Sequence, residues 1–208
     1  MKKKQSNKGF FITFEGGEGA GKTSLISELK SYLTDKGFSL IQTREPGSTS
    51  LGEKIRHLLL MDEKMNAYAE LALFLASRAE HVEKVILPAL NEGKIVLCDR
   101  YNDSSIAYQG YARGLGMEAV KKVCDFFSLG ITPDLTFYLD IDPLIGFKRK
   151  SSDIYDRIEE ESLFFHRNIR KAYYKISKEE PNRFFLLDAS KSKDDVFNDA
   201  LLILNKKI

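Results

Sequence analysis

The chain has 208 residues, of which 43% are hydrophobic and 30% are charged, as in an ordinary globular domain with a substantial core. Its formal net charge of +2 is too small to indicate a nucleic-acid or membrane-surface partner. A polar, basic tail at 1–9 precedes an apolar run shorter than the roughly 7–15 residues of a signal peptide, and no run reaches the ~18 apolar residues of a membrane span. Cys98 and Cys124 have no metal-ligand spacing, which favours a reducing, cytoplasmic location.

Hydrophobic periodicity predicts about five strands that alternate with helices. The strands are predicted at 10–14, 38–43, 94–99, 134–140 and 183–188. The helices are predicted at 22–35, 50–60, 66–91, 103–111, 117–127, from 143, at 157–178 and at 194–205. We expect Gly37 to stop the first helix and Pro88 to kink the third. This alternation predicts one α/β domain, 1–208, with a mainly parallel five-stranded sheet.

A glycine-rich turn joins the first predicted strand to the first helix. Residues 16–23 read Gly-Gly-Glu-Gly-Ala-Gly-Lys-Thr, which fits the spacing G-x-x-x-x-G-K-[ST]. The glycines let successive N–H groups point at phosphate oxygens, and the helix start adds free donors. Lys22 supplies a cation for the β- and γ-phosphates, and the Thr23 hydroxyl is a magnesium ligand. With these flanks, the spacing favours a nucleoside-triphosphate site over an ordinary glycine-rich turn.

Polar clusters follow four of the predicted strands: the glycine-rich loop, 43–45, 99–100 and 188–190. Ligands of parallel α/β proteins bind at the carboxyl ends of the strands, so these clusters predict a site. Asp99 is suited to hold Mg²⁺ through water, and Arg100 to grip a phosphate. A surface ion pair at a strand end is the alternative.

Two further segments are suited to recognise a nucleoside. Phe74 and Arg78 are four residues apart and share a helix face, so a ring could stack on a base and a guanidinium could bond its edge. Spacing alone favours a core Phe and a surface Arg instead. Segment 103–110 offers a hydroxyl, a phenol and a carboxamide for a base and sugar. It reads equally well as a helix start capped by Asp103 or Ser104.

The remaining candidates are cations. Arg44 and Arg56 flank the turn at 46–47 and could each be a solvated surface charge. Three consecutive cations, Lys148, Arg149 and Lys150, precede a short polar segment, which we expect to be a mobile lid at about 148–157. Such a lid would close its cations over a transferring phosphoryl group, whereas the plainer interpretation is a solvated helix end.

Taken together, these motifs resemble the bacterial thymidylate kinases, which are P-loop nucleoside monophosphate kinases, from about Phe10 to the C-terminus. The matching segments are 14–23, 43–47, Phe74 with Arg78, 99–101, 107–110 and 133–136. The resemblance implies a three-layer αβα P-loop NTPase fold, a homodimer, and transfer of a phosphoryl group from ATP to dTMP with Mg²⁺, giving ADP and dTDP. It implies no nucleic-acid and no membrane partner.

The resemblance also implies roles, position by position. ATP is held by Gly16, Gly17, Glu18, Gly19, Ala20, Gly21, Lys22, Thr23 and Ser24. The dTMP site comprises Glu18 at the sugar 3′-hydroxyl, Arg44, Arg56 and Arg100 at the phosphate, Phe74 stacked on thymine, Arg78 and Gln109 at its edge, Ser105 near the base and Tyr108 near the 2′ carbon. Thr23 and Asp99 hold the magnesium ion. The residues implied in catalysis are Lys22, Asp99, Arg100 and Arg149.

Two features of this chain qualify the resemblance. Kinases of this family carry a catalytic cation in the phosphate loop or in the lid, and the loop at 18–20 has no Arg, so the lid is expected to supply it. Arg149 is the candidate, with Lys148 and Lys150 beside it. Ser48 stands where the family often has Gly, which suggests that this position does not need a positive φ.

Three other classes of protein share a phosphate loop. The nearest is a related P-loop kinase that acts on another deoxynucleotide or on a nucleoside. A GTPase switch needs D-x-x-G and N-K-x-D elements, and the chain contains neither. A regulatory protein that binds ATP without transferring it is disfavoured by Asp99-Arg100 and the basic lid.

Overall fold

The computed structural model describes residues 9–60, 64–149 and 156–208. In these ranges, five parallel strands form one sheet in the order β2-β3-β1-β4-β5. They are β1 (Phe10–Gly16), β2 (Leu40–Arg44), β3 (Ile95–Asp99), β4 (Leu135–Asp140) and β5 (Phe184–Asp188). Lys150 and most of the predicted lid lie outside the described residues, as does the tail at 1–8.

Helices connect these strands on both faces of the sheet. The α-helices are α1 (Lys22–Asp35), α2 (Ser50–Leu60), α3 (Ala67–His81), α4 (Leu87–Asn91), α5 (Asn102–Ser105), α6 (Met117–Phe127), α7 (Pro143–Arg149), α8 (Leu163–Glu179) and α9 (Lys193–Leu204). Two π-helical segments, Val82–Ile86 and Ile106–Ala112, continue α3 and α5. No helix in the described part of the chain is long and apolar enough to cross a membrane.

The long helix predicted at 66–91 contains a change of helical type. Asn66 caps α3 by accepting the N–H of Ala69, and α3 then widens into the π-helical segment before α4. Pro88, at the start of α4, has no N–H for the regular ladder, and its ring crowds the preceding turn. The wider turn lies immediately before this proline, so the helix changes register there.

Helix α8 begins later than the predicted start at 157. The carboxylate of Asp156 accepts the N–H groups of Ile158 and Glu159, which makes a turn instead of a helical first turn. Ser162 then caps α8 by accepting the N–H of Phe165. The prediction for Gly37 is confirmed, because this residue has φ of 84° just after α1.

Alternate residues of the strands face opposite sides of the sheet, and both sides are covered. Ile12 and Phe14 pack with α1 and α9, whereas Phe11 packs with the π-helical segment after α3. A further cluster joins α3, α6 and α8 around Tyr138 of β4. The fold is therefore a three-layer αβα sandwich, as predicted, and its strand carboxyl ends meet at one edge.

Candidate active site

A cavity of about 950 Å³ lies at the carboxyl ends of the strands. It collects most of the predicted site residues from distant parts of the chain. Those in its wall are Glu18, Gly19, Ala20, Gly21, Lys22, Thr23, Ser24, Arg44, Arg56, Phe74, Asp99, Arg100, Ser105, Tyr108, Gln109 and Arg149. Of the predicted residues, Gly16, Gly17 and Arg78 lie outside this wall.

The glycine-rich loop between β1 and α1 is held in a shape that other residues would not allow. Gly19 and Gly21 have φ of 66° and 93°, in the left-handed region. A Cβ on Gly19 would overlap the carbonyl of Gly146 in α7, and a Cβ on Gly146 would overlap the carbonyl of Glu18. The loop and α7 therefore meet backbone to backbone. Gly146 could not be predicted as a site residue from the sequence, since no motif marks it.

Lys22 opens α1 with its ammonium inside the loop. Its Nζ donates to the carbonyls of Gly16 and Gly17, both at 3.1 Å, so one of its three N–H groups is left for a ligand. Burial, together with the nearby Arg100, lowers the pKa of this ammonium. The loop thus directs a buried cation toward the cavity.

Arg100 is the central cation of the cavity. It has φ of 68°, a strained value for a residue with a Cβ, and its guanidinium lies 5.3 Å from the centroid of the Tyr108 ring. Its Nη2 donates to Glu18 Oε1 at 2.9 Å. Burial favours the neutral form of Glu18, but Lys22 and Arg100 outweigh it and lower the pKa of Glu18 to about 2. Glu18 is therefore ionised at neutral pH.

Behind Arg100 lies Glu15, a site residue that the sequence analysis missed. Its carboxylate is fully buried and accepts the N–H of Tyr101 at 2.9 Å and the hydroxyls of Ser104 and Tyr173 at 2.6 and 2.7 Å. Burial and then the charge of Asp103 raise the pKa of Glu15 to about 7. The available signal was a lone acid in the otherwise apolar strand β1.

The carboxylate of Asp99 contains the polar atom that fits a metal ion. Its Oδ1 is buried and has no hydrogen-bond partner among the residues that the structure describes, which is costly unless a ligand or water satisfies it. Asp99 ends β3 in register with Phe14 of β1, next to the loop that carries Thr23. A carboxylate and a hydroxyl are hard oxygen donors of the kind that Mg²⁺ uses together with water and phosphate oxygens. These residues therefore fit Mg²⁺.

Two arginines of the cavity wall, Arg44 at the end of β2 and Arg56 in α2, flank the turn after β2. Arg44 Nη2 donates to both oxygens of Glu53 at 2.9 Å, and Arg56 donates to the carbonyl of Pro46 at 3.1 Å. The expectation that Ser48 needs no positive φ is wrong, because its φ is 65°. Its hydroxyl bonds the backbone of Arg44 and its N–H donates to Glu53, and these bonds offset the strain.

Arg78 lies behind the cavity wall and is neither a surface cation nor a wall residue. It is 1% exposed, and its guanidinium donates to Glu45 at 2.8 Å, to Ser105 Oγ at 3.1 Å and to the Tyr101 carbonyl at 3.0 Å. A fourth bond reaches Cys124. The predicted hydrogen bond from Arg78 to the edge of a base stays a prediction. In this conformation Arg78 reaches the cavity only through Ser105, which accepts its hydrogen bond and lines the cavity.

The π-helical segment after α5 presents Tyr108 and Gln109 to the cavity, opposite the half-buried ring of Phe74. The alternative role of this region as a simple capped helix start is wrong. Asp103 pairs with Arg183 at 2.8 and 2.9 Å, and Ser104 donates to Glu15 instead of capping α5. Both side chains are thus used by tertiary contacts, and the cavity receives the residues that follow them.

Helix α7 ends in Lys148 and Arg149, both exposed. Arg149 donates to the carbonyls of Ala189 and Ser190, at 2.6 and 3.3 Å, in the loop after β5. Arg149 also lines the cavity, and its catalytic role stays a prediction. Lys150 lies outside the described residues.

Comparison with known proteins shows what this arrangement is similar to. Residues 14–200 match the family model described as thymidylate kinase. The chain is 48% identical to a thymidylate kinase of Protochlamydia amoebophila (strain UWE25), over 96% of this chain and 94% of that protein. It is 45% identical to a thymidylate kinase of Shouchella clausii (strain KSM-K16), over 97% of each.

A solved structure agrees with these sequence matches. The crystal structure of thymidylate kinase from Ehrlichia chaffeensis superposes with a TM-score of 0.80 at 33% sequence identity. The match covers 95% of this chain and 99% of that one. The similarity therefore extends over the whole αβα sandwich and its cavity.

Proposed function

The chain belongs to the thymidylate kinase family, and from this premise we propose how its residues carry out the family's reaction. The protein is an ATP-dependent phosphotransferase that converts dTMP and ATP to dTDP and ADP, a step of nucleotide biosynthesis. The single observation that supports the residue assignments is the cavity itself. Its wall combines the phosphate loop, a second set of arginines, and the side chains of Phe74, Ser105 and Gln109 for a base.

The donor nucleotide binds at the loop and the start of α1. Backbone N–H groups of 16–24 and the N-terminus of α1 bind the phosphates. Lys22 adds a positive charge, which its bonds to Gly16 and Gly17 hold inside the loop. Thr23 and Asp99 hold Mg²⁺, which when bound neutralises charge on the β- and γ-phosphates. The unpartnered Oδ1 of Asp99 supports this assignment.

The acceptor dTMP binds on the opposite side of Arg100. Arg44, Arg56 and Arg100 surround its phosphate, and each of them lines the cavity. Glu18 accepts from the sugar 3′-hydroxyl, a role that suits a carboxylate which stays ionised far below neutral pH. Tyr108, which packs under Arg100, lies near the 2′ carbon and disfavours ribonucleotides.

The thymine base binds against the inner end of the cavity. Phe74 stacks on the ring, and Ser105 and Gln109 face its edge. Arg78 supports this wall through its bond to Ser105, and it contacts the base edge when its guanidinium moves toward the cavity.

The chemical step depends on charge placement more than on covalent chemistry. Buried Lys22 and half-buried Arg100 line the cavity and supply charge at the two phosphate sites. Arg149 is the lid cation that joins them once it leaves the carbonyls of 189–190. Helix α7, which carries Arg149, contacts the phosphate loop at Gly146, and this contact supports a position of Arg149 close to the loop.

We also propose that residues 1–208 form one kinase domain with a lid at about 148–157, acting in the cytoplasm as a homodimer. One continuous sheet supports the single domain, and two free cysteines, Cys98 and Cys124, suit a reducing compartment. Large apolar side chains that remain exposed at the end of α6, with Phe126 76% and Leu129 62% exposed, support burial against a second copy.

ADP release tests the proposed acceptor with four nucleotides, dTMP, dUMP, the TMP ribonucleotide and dCMP, and with the nucleoside thymidine. We expect dTMP to be the best substrate and the ribonucleotide to be poor. Equal rates with dTMP and dCMP would contradict the base site, and activity with thymidine alone would show a nucleoside kinase. The Glu118→Gln variant, changed on the exposed face of α6, is the matched control for any site variant.

A further inference from the structure

Gln109 is held in one orientation by a buried carboxylate. Its side chain is 1% exposed, and its Nε2 donates to Glu70 Oε1 at 2.8 Å. Glu70 lies in the first turn of α3 and is itself 1% exposed. One N–H of the Gln109 amide is therefore committed to Glu70, and the other N–H and the Oε1 remain for a ligand.

Two arginines keep Glu70 ionised. Arg113 donates to both Glu70 oxygens at 3.2 and 3.1 Å, and Arg157 Nη1 lies 2.7 Å from Oε2. Burial opposes ionisation of Glu70, but the bonds from Gln109 and Arg113 prevail and lower its pKa. An ionised carboxylate has only acceptor atoms, so it can face the NH₂ end of Gln109 but never its oxygen.

A carboxamide that can rotate freely forms equally good hydrogen bonds with thymine and with cytosine. Thymine presents an N3–H donor beside the O4 acceptor, whereas cytosine presents an N3 acceptor beside an N4–H donor. The amide edge, one oxygen beside one N–H, pairs with either pattern, and a half-turn of the amide converts one fit into the other. Fixing the amide therefore selects between the two bases.

We propose that Glu70 is a specificity-determining positioning residue, which locks the Gln109 carboxamide in the orientation that accepts thymine or uracil and rejects cytosine. The inference rests on the proposed assignment of Gln109 to the base. A cytosine in this site would place its N3 lone pair against Gln109 Oε1 and its amino group against the Gln109 N–H, two repulsive contacts. Glu70 itself touches no substrate.

The test is the ratio of kcat/KM for dTMP to that for dCMP, measured in the full chain. Glu70→Gln keeps the shape but offers a donor as well as an acceptor, so Gln109 is free to turn. We expect the ratio to fall by about tenfold or more, the value of one net hydrogen bond. The ratio of dTMP to dUMP should stay within about twofold, because both bases present the same edge and only methyl packing separates them.

Four further variants, one of them a double substitution, separate positioning from simple structural support. Gln109→Ala should lower the dTMP/dCMP ratio, and adding Glu70→Gln to it should change the ratio no further, because Glu70 acts through Gln109. Arg113→Gln removes the Arg113 ion pairs with Glu70 and Glu161, but Arg157 still pairs with Glu70 and the Glu70–Gln109 bond remains. This variant should therefore lower stability without changing the ratio. Glu70→Asp keeps the charge yet withdraws the oxygens from Gln109 by one methylene, and it serves if Glu70→Gln does not fold.

The possible failures are distinguishable. A wild-type protein that does not phosphorylate dTMP would overturn the proposed function and this inference with it. An unchanged ratio in Gln109→Ala would overturn the assignment of Gln109, and the inference would fall too. A lowered ratio in Gln109→Ala with an unchanged ratio in both Glu70 variants would overturn the inference alone.

Discussion

Replacing Glu15 with Gln removes a charge that the fold buries completely. The folded protein raises the pKa of this carboxyl from 4.5 to about 7, through burial first and then the charge of Asp103. Arg100 and the hydroxyls of Ser104 and Tyr173 favour the charged form but do not offset the burial. The carboxyl therefore binds its proton more tightly in the folded state than in the unfolded state.

This difference fixes the sign and the size of a pH effect on stability. A carboxyl whose pKa is raised by folding stabilises the folded state fully below about pH 4.5. This stabilisation is lost as the pH rises through about 7. At about 1.4 kcal/mol per pH unit, the loss is about 3 kcal/mol. Relative to the wild type, Glu15→Gln should therefore gain about 3 kcal/mol of unfolding free energy between pH 4.5 and pH 8.

Urea unfolding of both proteins at several pH values between 4.5 and 8 measures this gain. Glu118→Gln changes the net charge by the same amount at an exposed position and should follow the wild type. If the difference between Glu15→Gln and the wild type is constant across the range, Glu15 is not protonated near neutral pH, and our account of its burial is incorrect.

Three further changes test the site. Asp99→Asn should raise the Mg²⁺ concentration for half-maximal rate by about 10–100-fold, and an unchanged Mg²⁺ titration would exclude Asp99 from the metal site. Gly146→Ala places a Cβ against the Glu18 carbonyl and should weaken ATP binding by about tenfold, measured by calorimetry; unaltered affinity would mean that α7 can shift freely. Arg149→Ala should lower kcat on the order of 10³-fold with little change in the KM for dTMP. A higher KM for ATP with normal kcat would instead assign Arg149 to the loop at 189–190.

Motifs with local chemistry could be predicted from the sequence. The loop at 16–23 has fixed spacing between a strand and a helix, so its position at the edge of the sheet follows from the pattern alone. The polar clusters predicted after four of the strands contribute residues to one cavity, because parallel strands end at the same edge. The predicted bounds of α1, α2 and α6 agree with the structure, since apolar periodicity marks these helices.

Residues whose role depends on a distant partner could not be predicted. Arg78 shares a helix face with Phe74, as expected, but only the packed structure shows that Glu45 and Ser105 take up its guanidinium. Ser48 has a positive φ because Glu53, on the next helix, receives its N–H. Which acceptor binds the Arg78 guanidinium or the Ser48 N–H depends on which acceptors the fold brings close to these donors. The spacing of residues along the chain does not show this.

The sequence by itself determined the order of strands and helices, the phosphate loop and the family resemblance, because each depends on residues close together in the chain. Only the tertiary structure decided the raised pKa of Glu15, the hydrogen-bond partners of Arg78 and the orientation of Gln109. These properties arise from burial and from partners 23 to 158 positions away, so they exist only once the chain has folded.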